Sequence, residues 1–211
     1  MKKIAILFFL MLPVFSFGQW KMGTVKLGVY DPSATGSGFV IGYEGGYYID
    51  ESFNYGWSVD WFHKKYTDQQ LVKEFNNEFG FIDSELNELR AKTNLHDIPV
   101  MFNITGKFPI APRMDAYFTG SAGVEVLLIF YRSFQNPEDD NFKSAFDFTW
   151  RLGAGVTYQI GHRSEFLAEL SYHAAKPSWT YNVDEAGRTR VFERSYDMSG
   201  VMMRVGFRFY Y

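Results

Sequence analysis

Phe146 to Ile160 reads FDFTWRLGAGVTYQI. Phe146, Phe148, Trp150, Leu152, Ala154, Val156, Tyr158 and Ile160 share one parity. Asp147, Thr149, Arg151, Gly153, Gly155, Thr157 and Gln159 share the other. Side chains alternate across a strand, so this period-two pattern predicts a β-strand with one apolar and one polar face. An ordinary globular strand has about 5–6 residues. This one is long enough for the roughly 9–11 tilted residues that a bilayer crossing takes.

Seven further segments carry the same alternation: Met22–Tyr30, Gly38–Asp50, Phe53–Lys65, Leu95–Phe108, Ala116–Tyr131, Glu165–Ala174 and Ser199–Tyr211. The linkers after the second, fourth and sixth segments are short: around Glu51-Ser52, Pro109–Asp115 and Gly161–Ser164. Those after the first, third, fifth and seventh are longer, the longest being Tyr66–Asn94 and Ala175–Met198. Short periplasmic turns alternating with long external loops are the pattern of an outer-membrane barrel. An even strand number puts both termini on the periplasmic side.

Residues 1–18 read as a secretory signal: Lys2 and Lys3, an apolar run Ile4 to Phe15, then Ser16-Phe17-Gly18 before a cut. That run is too short for a transmembrane helix. Residues 19–211 are then a single domain. With no Cys, neither a disulfide nor a thiolate metal site can form. Aromatics make up 19% of the chain, high for a soluble domain, and the formal net charge is −3, so no nucleic-acid partner is expected.

Alternation alone does not say which face points outward, because a lipocalin-like barrel alternates with its apolar face inside. Three features favour an apolar exterior. The polar parity carries charges of both signs together with Gly42, Gly46, Gly56, Gly123, Gly153, Gly155 and Gly206; small residues suit a crowded interior. The apolar parity has Trp57, Trp61, Phe130, Trp150, Tyr172 and Phe209 near strand ends, as membrane girdles do. The chain also ends on an aromatic in a strand.

The closing run Val205-Gly206-Phe207-Arg208-Phe209-Tyr210-Tyr211 resembles the C-terminal strand of outer-membrane proteins, which the barrel-assembly machinery reads. Over nearly all of 19–211 the chain resembles the outer membrane protein beta-barrel domain family, in the eight-stranded style of the small outer-membrane protein X. Ile98-Pro99-Val100, opening the fourth strand, is similar to that family's habit there. The resemblance implies an all-β fold: a closed, antiparallel, eight-stranded, up-and-down transmembrane barrel. It also implies an outer-membrane location with lipid and lipopolysaccharide as surroundings. It carries no activity.

Lys26, Glu44, Asp60, Glu125, Arg151, Glu169 and Arg204 lie mid-strand on the polar parity, with Lys64 and Arg208 further along. In a closed barrel of eight strands these point into a lumen that side chains fill. Strand adjacency predicts Lys26 with Glu44, Glu125 with Arg151, and Glu169 with Arg204. A structural ion-pair plug is the expected role, because buried charges must pair; a gated ion path is the functional alternative.

His63, His96, His162 and His173 show no i, i+2 or i, i+4 spacing, so no metal site is expected. His162-Arg163-Ser164 is similar to the His-x-Ser of outer-membrane lipid A deacylases, but here it falls in a short, periplasmic turn. No catalytic residue and no cofactor is assigned.

Between the third and fourth strands, Thr67-Asp68-Gln69-Gln70 fits a capping box. Leu71, Phe75, Phe79, Ile82, Leu86 and Leu89 then recur at threes and fours, which predicts an amphipathic helix. It would pack over the barrel rim, bind an envelope protein through residues 67–92, or lie in the lipopolysaccharide zone. Glu138-Asp139-Asp140, Asp184-Glu185, Arg188, Arg190 and Arg194 are solvated loop charges that could meet divalent cations or lipopolysaccharide phosphates. The reading is therefore a structural or surface-interaction barrel without catalysis. The alternatives are a narrow porin-like channel and a lipid A-modifying enzyme.

Overall fold

The computed structural model describes residues 21–67, 92–132, 140–185 and 188–211. The signal at 1–18 and the helix through Leu71, Phe75, Phe79, Ile82, Leu86 and Leu89 lie outside the described residues, as do Glu138 and Asp139.

Ten antiparallel strands form one sheet: β1 Lys21–Pro32, β2 Gly38–Tyr48, β3 Phe53–Thr67, β4 Lys92–Ala111, β5 Met114–Arg132, β6 Asp140–Gly161, β7 Ser164–Ala174, β8 Ser178–Glu185, β9 Arg188–Ser195 and β10 Gly200–Tyr210. Eight of them, β1 to β7 and β10, close into a barrel, because β5 pairs with β6 and β1 pairs with β10. Closure leaves no barrel strand at the edge of the sheet, the condition for a sheet to sit in hydrocarbon. The remaining strands, β8 and β9, make a hairpin in the fourth long connection that joins β6 at one pair, Phe146 with Ser178. The sequence pattern predicts only a loop there.

The first and last strands meet at the short-turn end, where the Lys21 and Tyr211 backbones exchange hydrogen bonds of 3.2 and 3.0 Å. Turns at that end are Ile49–Ser52, Pro112-Arg113 and His162-Arg163. Arg113 sits at φ 66°, the left-handed conformation that lets so tight a turn close. His162-Arg163-Ser164 is thus part of a turn at the end opposite the long loops.

Strand faces follow the parity of the sequence. Val25, Ile41, Trp57, Phe102, Val124, Leu152, Leu170 and Val205 point outward and are exposed. Their inward neighbours Lys26, Asp60, Glu125, Arg151, Glu169 and Arg204 are buried. Such an inside-out distribution, polar within and apolar without, places hydrocarbon rather than water around the barrel. Aromatic pairs ring this outer face, including Trp150 with Tyr172 and Phe130 with Phe142, at 5.9 and 5.1 Å between ring centroids.

Candidate functional site

The interior is layered. At the short-turn end a cavity of about 750 Å³ opens among Tyr48, Asp50, Lys107, Asp115, Glu165 and Tyr210. Its floor is polar: Lys107 Nζ lies 2.8 Å from Glu165 Oε1, and Arg208 Nε donates to Thr24 Oγ1 at 3.0 Å.

Above it sits a belt of ion pairs. Lys26 Nζ, from β1, lies 2.7 Å from Glu44 and 2.9 Å from Glu169. Arg204, from β10, reaches Glu169 through Nε at 3.1 Å and through Nη2, and reaches Asp60 through Nη1 at 2.8 Å. Arg151, from β6, crosses the lumen to Asp60 on β3 at 2.5 Å. Tyr117 donates to Glu169 at 3.0 Å. These groups leave a void of only about 10 Å³ between them, room for about one water. Glycines make the crowding possible. A Cβ on Gly42 would run into the Asp60 carboxylate, and one on Gly155 would meet the Tyr117 ring at 2.6 Å.

Lys26–Glu44 and Glu169–Arg204 stand where strand adjacency put them; Glu125–Arg151 does not. On the β5–β6 ladder Arg151 faces Ser121, while Glu125 faces Asp147. Four residues of offset amount to roughly 13 Å along a strand. Strand tilt then brings Arg151 level with Asp60 across the lumen, and Glu125 level with His173 on β7.

Glu125 Oε2 lies 3.0 Å from His173 Nε2, and both residues are fully buried. Thr149 Oγ1 approaches the same ring nitrogen at 3.2 Å, and Arg151 Nη2 stands 3.5 Å from Nδ1. Asp97, on β4, completes a cluster whose potential ligand atoms all lie within 4.8 Å of one another. Spacing along the chain missed this cluster because its members come from three strands. A second cross-strand meeting joins His63 to His96, with stacked rings 4.6 Å apart on β3 and β4, beside Trp61, whose indole donates to His96 at 3.2 Å.

The long-loop end is closed by apolar side chains: Tyr30, Val40, Phe62, Leu127, Met198 and Met202 are buried in one cluster, with Trp179 of the hairpin packed against it. Tyr30 donates its hydroxyl to the Met198 carbonyl, which ties the loop to the barrel wall. Asp197, in that loop, has its carboxyl held below the usual carboxylate range. Partial burial acts to raise it, but hydrogen bonds from Ser199 and the Lys176 ammonium outweigh burial.

The sequence profile of the outer membrane protein beta-barrel domain family matches residues 4–209. No curated protein sequence matches the chain. Among solved structures it is similar to a major outer membrane protein from Thermus thermophilus, at 11% identity and TM-score 0.61, covering 92% of this chain and 100% of that one. It is also similar to the outer membrane protein OprG from Pseudomonas aeruginosa, at 11% identity and TM-score 0.60, covering 92% and 96%. Neisserial surface protein A aligns at 11% identity and TM-score 0.54, covering 90% and 96%. At such identities these likenesses show a shared fold. Together with the apolar exterior and the closed eight-stranded sheet, the profile match settles family and location: this chain belongs to the outer membrane protein beta-barrel domain family and resides in the cell outer membrane.

Proposed function

We propose that this protein is a non-conducting, non-catalytic barrel whose interior serves to hold it closed, and whose external loops carry a structural or surface-interaction role. The observation that carries this reading is the doubly sealed lumen. The belt of Lys26, Glu44, Asp60, Arg151, Glu169 and Arg204 leaves a void of about 10 Å³, and the Tyr30–Phe62–Met202 cluster lies across the long-loop mouth. A hydrated ion needs a continuous wet path, and both layers interrupt it.

Geometry also supports the absence of catalysis. Thr149 and Glu125 address the same nitrogen of His173, whereas a hydroxyl–imidazole–carboxylate relay needs one on each ring nitrogen. The group is buried, beyond the reach of a lipid substrate. Residues 67–92 and the β8–β9 hairpin are then the segments offered to a partner, either an envelope protein or lipopolysaccharide.

The narrow-channel reading draws on one feature, the cavity of about 750 Å³ at the short-turn end, which resembles half of a pore. Planar-bilayer recording decides between the two. Purified, folded protein is expected to give no steady ion conductance; a stable, cation- or anion-selective current would overturn the closed reading. In parallel, removal of residues 68–91 is expected to leave the barrel folded while abolishing its retention by lipopolysaccharide-containing vesicles or by its envelope partner.

A further inference from the structure

Six carboxylates are buried in the described barrel: Glu44, Asp60, Asp97, Glu125, Glu165 and Glu169. Glu44, Asp60, Glu165 and Glu169 each face a Lys or Arg. Glu125 has only His173, and Asp97 has no ion pair among the described residues. Both oxygens of Asp97, and Oε1 of Glu125, meet no hydrogen-bond donor. What Asp97 faces instead is Glu125 and His173. Ionised together, Asp97 and Glu125 would be costly side by side in a water-poor interior, so a proton or a metal cation belongs between them.

A single proton shared by the two carboxyls would satisfy two of the three orphaned oxygens. A divalent ion satisfies both carboxylates and the imidazole lone pair together, and its double charge matches the pair. We propose that Asp97, Glu125 and His173 form a site for one divalent transition-metal ion of the Zn²⁺ class. One imidazole and two carboxylates are a donor set that such ions accept, and the bonds are short, roughly 2.0–2.2 Å. In a tetrahedral site this puts donor atoms roughly 3.3 Å apart. Glu125 Oε2 and His173 Nε2 are 3.0 Å apart already. The full set, within 4.8 Å, needs only a side-chain adjustment of Asp97. When Nε2 binds the metal, the ring hydrogen resides on Nδ1, so the Arg151 Nη2–H that points at Nδ1 from 3.5 Å has to turn away while Nη1 stays on Asp60. The Thr149 hydroxyl, 3.2 Å from Nε2, is placed to act as a fourth ligand or to hold one. With the site enclosed between ion-pair belt and apolar cap, the ion enters as the barrel closes. Its role is to tie β4, β5 and β7 together across the lumen.

The test refolds the full barrel in detergent with a chelator, with equimolar Zn²⁺, or with Co²⁺ as a coloured probe. The native chain is expected to retain one metal per folded molecule after gel filtration. It should show the visible bands of low-coordinate Co²⁺ and unfold at a higher temperature than the chelator-treated sample. Asp97→Asn and His173→Gln, each checked for folding by its heat-dependent gel mobility, are expected to lose the retained metal and the Co²⁺ bands. Two results would overturn the site: a native chain that retains no metal, or an Asp97→Asn protein that retains as much as the native one. In the first case an infrared band of a protonated carboxyl, absent in Asp97→Asn, would assign the pair a shared proton instead.

Discussion

Arg151 on β6 and Asp60 on β3 meet across the lumen, 2.5 Å apart, although two strands lie between them in one direction around the wall and four in the other. Asp60 also receives Arg204 at 2.8 Å, so one carboxylate compensates two guanidiniums. Asp60→Ala is therefore expected to cost about 3–5 kcal/mol, the penalty of stranding buried charge. Arg151→Leu should cost less, because Arg204 still satisfies Asp60. Urea unfolding in detergent micelles measures both; equal losses would mean that Asp60 does not occupy this central position.

Gly42 tests the packing of the same belt. Its missing Cβ is the space that the Asp60 carboxylate fills. Gly42→Val is expected to destabilise the barrel by about 1–3 kcal/mol through overpacking, and combining it with Asp60→Ala should recover part of that loss. A double-mutant cycle that came out additive would contradict the contact.

On the outer face, Leu152 is 60% exposed in the middle of β6. Leu152→Arg should lower stability by roughly 2–4 kcal/mol in a bilayer, where a charge at mid-depth is expensive. In detergent-free urea, where the chain is unfolded, it should have no effect. Folding titrations into lipid vesicles read the difference.

Two seals predict a particular electrical behaviour. Trimming the apolar cap alone, with Tyr30→Ala and Phe62→Ala, should leave the barrel silent in planar bilayers, because the ion-pair belt still blocks it. Current is expected only when Asp60 and Arg151 are also shortened. Conductance from the cap variant alone would locate the gate at the cap.

The β8–β9 hairpin joins the barrel through a single strand pair. Replacing residues 181–192 by a short turn is therefore expected to leave folding and gel mobility unchanged, while Trp179 and Tyr196, stacked at 5.4 Å, keep covering the cap. Deleting Trp179 as well should lower the thermal midpoint by a few degrees.

Much of this architecture is readable from the chain alone. Period-two alternation marks all eight barrel strands because each buries one face and greases the other, as in Phe146–Ile160. The adjacency of Lys26 to Glu44, and of Glu169 to Arg204, is also within reach. Register is not: nothing local says that Arg151 faces Ser121 while Glu125 lies four positions further up the ladder. For the same reason the gathering of Asp97, Glu125 and His173 is invisible in the chain, since its members are joined by barrel tilt rather than by spacing. The β8–β9 hairpin does leave a signal, with Trp179, Tyr181 and Val183 alternating ahead of Ala186-Gly187, but its strands of eight residues are too short for the membrane-crossing pattern that identifies the others.

The pairing of Met22 with Tyr210 and of Lys21 with Tyr211 places the first and last barrel strands in one ladder. The wall therefore has a seam, and the seam cannot be sewn until β10 has arrived. Every stabilising feature inside the barrel, from the ion-pair belt to the apolar cap, presupposes that final ladder. Loss of β10 would thus act on the whole molecule at once, yielding an open sheet with β1 and β7 as unpaired edges in place of a slightly shorter barrel.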